Sequence, residues 1–243
     1  MSSVWAVVPA AGSGRRMAAE VPKQYLRIAG VSLLEHTLRA LLAAPTIRGV
    51  VVVLDPSDRR ADSVASLSDA RIVRAPGGAE RADSVLSGLR VLRDLAADDD
   101  WVLVHDAARP CLPIADLMNL IATVTDTGVG ALLAQRCSDT IKRVDQEGRV
   151  MATLDREDLW RAQTPQMFRL SELRQALEGA LAKGLAITDE ASAMELANFP
   201  VQIVEGPACN LKVTVPDDLR IAENYLNQAQ TQSGAKLTQV TSQ

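Results

Sequence analysis

The stretch Val4-Trp5-Ala6-Val7-Val8-Pro9-Ala10-Ala11-Gly12-Ser13-Gly14-Arg15-Arg16 decides the fold class. Residues 4–8 are all apolar and rich in β-branched side chains, with no polar residue alternating between them. That pattern predicts a strand buried on both faces, and Pro9 ends it. The small residues that follow predict a loop whose backbone can come close to a ligand. The same run and break recurs at residues 49–54, 71–73 and 101–104, while apolar residues at helical spacing fill 32–44 and about 81–95. Strands alternating with helices predict an α/β fold: a mostly parallel sheet with helices on both faces. Such sheets bind ligands at the carboxyl ends of their strands, where the Gly12 loop and Asp106 are both expected.

Beyond Asp106 the pattern changes. Residues 140–144 and 149–154 flank Asp145-Gln146-Glu147-Gly148, which predicts a hairpin with a glycine-containing turn. This hairpin has little apolar area of its own, so support from a second copy of the chain is expected. Helices are expected near 171–183 and 189–198, strands at 201–204 and near 211–215, and a helix after Pro216-Asp217-Asp218. From about Gln228 the chain is polar and reads as a frayed tail. The length therefore divides into one domain over 1–227, including a β-arm at about 137–157, and a tail over 228–243.

Of 243 residues, 47% are hydrophobic but only 3% aromatic, so aliphatic side chains must fill the core. The net charge of −4, from 26 basic and 30 acidic residues, provides no global positive field for a nucleic-acid backbone. An anion site must instead be local. Cys111, Cys137 and Cys209 are far apart, and His36 and His105 are the only histidines. Neither a disulfide framework nor a histidine-rich metal centre is suggested. No leader pattern and no membrane-length apolar run is visible, so a soluble, cytoplasmic protein is expected, with no membrane partner.

Four segments carry candidate chemistry. In the first, Gly12 and Gly14 allow close backbone approach, and Arg15, Arg16 and Lys23 can neutralise phosphate. This loop lacks the Gly-Lys-Ser/Thr ending of a P-loop, and Met17 stands where a dinucleotide fingerprint needs a small residue. A tight turn with exposed arginines is the plain alternative. In the second, Gly77-Gly78-Ala79-Glu80-Arg81-Ala82-Asp83-Ser84, two glycines precede a helix, and Ser84 falls in its first turn. Amides offered to an anion and an ordinary capped loop are both open. In the third, His105-Asp106-Ala107-Ala108-Arg109-Pro110, Asp106 ends a buried strand and can hold Mg²⁺ or a substrate hydroxyl. His105 reads as a packed structural residue. In the fourth, Asn210-Leu211-Lys212-Val213-Thr214, Lys212 needs an anion partner if it points inward, or water if it lies on an edge strand.

In their order and spacing these segments resemble the 2-C-methyl-D-erythritol 4-phosphate cytidylyltransferases of the non-mevalonate isoprenoid pathway. The resemblance runs from about Val4 to Tyr225. It rests on Pro9-Ala10-Ala11-Gly12 with Arg16, Pro22-Lys23-Gln24-Tyr25, residues 80–85, residues 105–110 and Thr188-Asp189-Glu190-Ala191-Ser192. It implies a Rossmann-like sheet of nucleotidyltransferase type with a protruding β-arm. It further implies transfer of CMP from CTP to 2-C-methyl-D-erythritol 4-phosphate, releasing pyrophosphate, with Mg²⁺ or another divalent cation as cofactor.

By this resemblance Arg16, Lys23, Arg156 and Lys212 are the catalytic cations. Ala10, Ala11, Gly12, Gly14, Gly78 and Ser84 hold CTP. Asp106, Ala107, Arg109, Thr140, Arg156 and Lys212 hold the polyol phosphate, with Asp106 also a candidate metal ligand. Thr140 and Arg156 lie on an arm that reaches the neighbouring subunit of a homodimer. Ala79 stands where relatives often carry a polar or acidic residue, and Cys209 where an acidic one is expected. A ribitol 5-phosphate cytidylyltransferase and a non-catalytic nucleotide-binding protein are the alternatives.

Overall fold

β1 (Val4–Pro9) lies in mid-sheet because it carries no side chain that needs water. In the computed structural model, which describes residues 2–12 and 21–240, Ala6, Val7 and Val8 are wholly buried. The chain continues through a short antiparallel pair, β2 (Arg27–Ile28) and β3 (Val31–Ser32), into α1 (Leu33–Leu42) and β4 (Ile47–Leu54). Next come β5 (Ile72–Pro76), α2 (Arg81–Leu92), β6 (Trp101–Val104), α3 (Ile114–Thr127) and β7 (Ala131–Arg136). The hairpin β8 (Ile141–Val144) and β9 (Val150–Leu154) precedes β10 (Trp160–Arg169). α4 (Leu170–Ala182), α5 (Glu190–Leu196), β11 (Gln202–Glu205) and α6 (Pro216–Val240) complete the order.

Among the described residues, seven strands form one sheet in the order β11-β7-β10-β6-β1-β4-β5. Its neighbours are parallel except β10, which runs antiparallel to both β6 and β7. Side chains alternate across a strand, and this divides β1 between two cores. Val4, Ala6 and Val8 join Leu34, Leu38 and Leu41 of α1 and Leu117, Leu120 and Val124 of α3. Trp5 and Val7 join Val85, Leu89 and Leu92 of α2 and Leu173 and Leu177 of α4. The expected mostly parallel sheet with helices on both faces is therefore present. Each such aliphatic side chain contributes about 1.5–3 kcal/mol by leaving water.

Helix ends follow local chemistry. Ser32 Oγ accepts the Glu35 N–H at 3.2 Å and starts α1. Gly128 takes the left-handed conformation, with φ 70°, and closes α3.

Two expectations are corrected. Where residues 211–215 predict a strand, none forms. The Val213 N–H donates to the Ala108 carbonyl, and the Thr214 and Val215 N–H groups donate to the Asp218 carboxylate. Those backbone groups are thus committed to loop contacts and to a turn, not to a sheet ladder. The polar stretch from 228, read as a tail, is helical through Val240 as the continuation of α6. Leu219, Ala222, Tyr225 and Leu226 anchor that helix against the body.

α3, β7 and β10, and the short pair β2 and β3, are not anticipated from the sequence. The apolar residues Leu117, Leu120, Ile121 and Val124 in α3 do carry helical spacing. β10 hides better, because Gln163-Thr164-Pro165-Gln166 breaks its apolar pattern and its register shifts between Ala162 and Gln166.

Candidate active site

β1, β4, β5 and β6 are parallel, so the loops that follow them gather at one edge of the sheet. From β1 the chain goes to β4 on one side, and β6 lies on the other. Such a reversal opens a crevice. The cleft there measures about 740 Å³ and is walled by the loops after β1, β5 and β6 with Lys23 and Lys212.

The loop after β1 is pinned from below. Buried Gln24 donates through Nε2 to the Ala10 carbonyl at 2.8 Å and the Gly12 carbonyl at 3.1 Å. One side-chain amide thus satisfies both carbonyls. Gln24 and Lys23 share one turn of 3₁₀ helix, so the residue that fixes the loop adjoins a cation lining the cleft. Ala10, Ala11 and Gly12 line the same wall. Gly14 and Arg16 lie outside the described residues.

The loop after β5 touches the first loop directly. A Cβ on Gly77 would overlap the Ala11 Cβ, and one on Gly78 would overlap the Asp83 Cβ. The Gly78 N–H donates to Ser84 Oγ at 3.0 Å, and the Glu80 N–H donates to Asp83 Oδ2 at 3.0 Å. The capped-loop reading of this segment is thus realised, while Gly78 and Ser84 also line the cleft. What Gly78 presents to a ligand is bare backbone, its N–H being already bonded.

Asp106 is the electrostatic centre. Only 7% exposed, it accepts the Arg81 Nε–H at 3.0 Å on Oδ1 and a Lys212 Nζ–H at 2.8 Å on Oδ2. Arg109 Nε stands 3.8 Å from Oδ2. Burial alone would raise the carboxyl pKa. Arg81, Lys212 and Arg109 more than reverse that and hold it well below the usual carboxylate range. Lys212 is thus the inward lysine with an anion partner, although it sits on a loop. Burial opposes the charge on Arg81, but Glu190 and Asp106 raise its pKa above the ordinary guanidinium value.

The loop after β6 is shaped by a buried relay. His105 is wholly buried, and burial lowers its pKa to about 4, so it is neutral. Nε2 lies 3.1 Å from the Arg109 carbonyl, which can only accept, so Nε2 carries the proton. Nδ1 then accepts from the Thr164 hydroxyl at 3.0 Å, and Thr164 Oγ1 accepts the Asp106 N–H at 3.0 Å. The expected packed, structural His105 is what the structure contains. Arg109 donates to the Asn210 carbonyl at 2.7 Å. Its buried Nε has no hydrogen-bond partner among the described residues and lies beneath Asp106, and Arg109, expected to touch the polyol phosphate, does not line the cleft. Asn210 Nδ2 in turn donates to the Thr164 carbonyl at 2.8 Å.

The metal-ligand reading of Asp106 is not supported. Both its oxygens already face cations, which would repel a divalent ion. Among the described residues no group of three His, Cys, Asp or Glu side chains could cage one. Thr140 and Arg156 are not brought to the cleft of their own chain. Both are exposed at the base of the hairpin, where Arg156 Nη1 donates to the Ser138 carbonyl. Ala107 does line the cleft, and its carbonyl accepts from Thr37 Oγ1 at 3.2 Å.

The positioning roles of Gln24, Arg81, Thr164, Glu190 and Asn210 are not legible in the sequence. Gln24, Arg81, Glu190 and Asn210 fall inside the segments singled out there, but their partners are distant in sequence. No helix among the described residues is long and apolar enough to cross a membrane.

Residues 4–228 match the family described as 2-C-methyl-D-erythritol 4-phosphate cytidylyltransferase. The enzyme of that name from Aeromonas hydrophila is 55% identical over 231 residues, covering 95% of this chain and 93% of its own length. The one from Ectopseudomonas mendocina is 55% identical over 216 residues, covering 88% and 92%. The crystal structure of the Francisella tularensis enzyme superposes with a TM-score of 0.78 at 34% identity, over 92% of this chain and all of that one. A crystal structure of a 4-diphosphocytidyl-2C-methyl-D-erythritol synthase gives a TM-score of 0.80 at 36% identity, over 93% of this chain and 99% of that one.

Proposed function

Because the chain belongs to the 2-C-methyl-D-erythritol 4-phosphate cytidylyltransferase family, we propose that its cleft brings two phosphates together between Lys23 and the Asp106–Lys212 pair, which all line it. The reaction is transfer of the cytidylyl group of CTP to 2-C-methyl-D-erythritol 4-phosphate, a step of the non-mevalonate isoprenoid route. The nucleophile is the phosphomonoester of the polyol. With a second pKa of about 6 it is largely a dianion at neutral pH and needs no general base. His105, neutral and sealed among Thr164 and Arg109, is not placed to serve as one.

Catalysis then consists of overcoming repulsion and stabilising charge. Attack at the α-phosphorus builds charge on its equatorial oxygens while pyrophosphate leaves in line. Lys23 and Arg16 stabilise that charge. Lys212, set by Asp106, holds the polyol phosphate, and Arg109 supports Asp106 from the buried side. Ala10, Ala11, Gly12, Gly14, Gly78 and Ser84 receive the nucleotide, their small side chains leaving room for it. Among the described residues no carboxylate cage would hold a divalent cation, so Mg²⁺ or another divalent cation would be held chiefly by the CTP phosphates, where it would offset their charge. Thr140 and Arg156 complete the site of a second copy, so the working unit is a homodimer joined through the β8–β9 hairpin. Val144, Val150 and Met151 on that hairpin are 51%, 62% and 67% exposed, apolar area that suits such a contact. The protein works in the cytoplasm, where CTP is available.

The observation that carries this reading is that Lys23 and the Asp106–Lys212 pair line one cleft at the carboxyl ends of β1 and β6. The test is pyrophosphate release from CTP with each polyol phosphate. 2-C-Methyl-D-erythritol 4-phosphate should give the higher kcat/KM. Faster release with ribitol 5-phosphate would reassign the substrate, and CTP binding without release would make this a nucleotide-binding protein.

A further inference from the structure

Glu190, the first residue of α5, is among the most deeply buried charges described, at 1% exposure, yet it lies outside the cleft lining. A carboxylate so buried is costly unless an ion pair and hydrogen bonds compensate it. Arg81 supplies both, with Nη1 at 2.6 Å from Oε1 and Nη2 at 3.1 Å from Oε2. That two-pronged pairing fixes the plane of the guanidinium. Its remaining edge, Nε–H, is thereby aimed at Asp106 Oδ1 at 3.0 Å, and Asp106 Oδ2 in turn holds Lys212 Nζ at 2.8 Å.

The carboxylate of Glu190 is itself held in place by the helix it begins. Asp189 caps α5 by accepting the Ser192 N–H at 3.0 Å, and Gln166 of β10 bonds both Asp189 and the Ala191 N–H. A chain of charges thus runs from α5 through the start of α2 and the end of β6 to the loop bearing Lys212. Without Glu190, Arg81 would be a loose cation in a cleft that binds phosphates, and Asp106 could rotate away from Lys212.

We propose that Glu190 is a positioning residue, which sets Lys212 for the polyol phosphate through Arg81 and Asp106. This rests on the reading of Lys212 as the phosphate-holding cation.

The test uses the full-length Glu190→Gln variant, similar in shape but uncharged. In steady-state assays the KM for the polyol phosphate should rise on the order of tenfold or more, as for a lost charge-assisted bond, while the KM for CTP changes less than about twofold. In a Lys212→Ala background the same substitution should add nothing further, because its effect passes through Lys212. Equal rises for both substrates, or additive effects in the double variant, would overturn the proposal. A second readout needs no turnover: the rate at which an amine-reactive reagent labels Lys212, followed by mass spectrometry with exposed Lys183 as reference. It should rise several-fold in Glu190→Gln and also in Arg81→Lys, since an ammonium lacks the planar fork that grips Glu190 with two N–H groups while aiming a third at Asp106. An unchanged Lys212 rate, or a rise shared by Lys183, refutes the positioning role. If the wild-type chain releases no pyrophosphate while the labelling result holds, the substrate assignment fails and the positioning role stands.

Discussion

Lys23 and Lys212 carry the same charge and line one cleft, and their local surroundings predict different consequences of removing them. Lys212 is tied to Asp106, so its ammonium is fixed before any ligand arrives. Lys23 sits beside the loop that Gln24 pins. We predict that Lys23→Ala lowers turnover by about 10²–10³-fold, the typical cost of one preorganised donor to a transition state. Lys212→Ala should mainly raise the KM for the polyol phosphate. Steady-state kinetics of the two variants checks both, and near-normal turnover in Lys23→Ala would remove it from the reaction. Gly77 supports a prediction of another kind. Any Cβ there collides with Ala11. Gly77→Ala should cost about 1–3 kcal/mol of stability through overpacking, measured by denaturant titration, and should weaken CTP binding by displacing the Ala10–Gly12 wall. An alanine variant of native stability and unchanged CTP affinity would show that the two loops can separate freely.

At the scale of elements, the hairpin of β8 and β9 is the outlier. Its strands pair with each other and not with the seven-stranded sheet, and most of its residues are exposed. A two-stranded ribbon of this kind is marginal alone. Its apolar residues and the nearby Thr140 and Arg156 make sense if the hairpin lies on a second protomer. If so, the active site is shared, and inactive variants should complement each other. Mixed Lys23→Ala and Arg156→Ala protomers should recover about a quarter of wild-type activity. Half of the dimers are then hybrid, and each hybrid has one intact site. Activity no greater than the sum of the separate variants would place Arg156 outside the partner's site. The elements that build the main cleft behave differently, since each is fixed by burial in one of the two cores.

For the whole molecule, stability should depend on pH through the buried loop after β6. His105 has an ordinary pKa of 6.5 when unfolded and about 4 when folded. Below 6.5 the unfolded chain takes up a proton that the folded chain refuses, so this stabilisation is complete above 6.5 and declines as pH falls toward 4. His36, also lowered by burial, acts in the same direction. Asp106, held well below the ordinary carboxylate value of 3.8, extends the loss to more acid pH. Urea titrations should show unfolding free energy dropping by on the order of 1–3 kcal/mol from neutrality to about pH 4, and His105→Gln should flatten that slope in part. A level wild-type profile would contradict a buried neutral imidazole.

The sequence by itself determined the sheet-forming strands at 4–8, 49–54 and 101–104, the helices between them and the position of the Gly12 loop and Asp106 at one edge. These follow from short-range periodicity, which a contiguous apolar run displays directly. It did not determine β10, whose Gln163-Thr164-Pro165 segment is held by partners on other elements, or the irregular path of residues 211–215. Nor did it determine that Asp106 pairs with Arg81 and Lys212. The Arg81–Glu190 pair joins residues 109 positions apart, and Arg109 reaches Asn210 across 101. Only the tertiary structure decided these, because buried ionisable groups must find opposite charges wherever folding brings them, and no local pattern records which ones will meet.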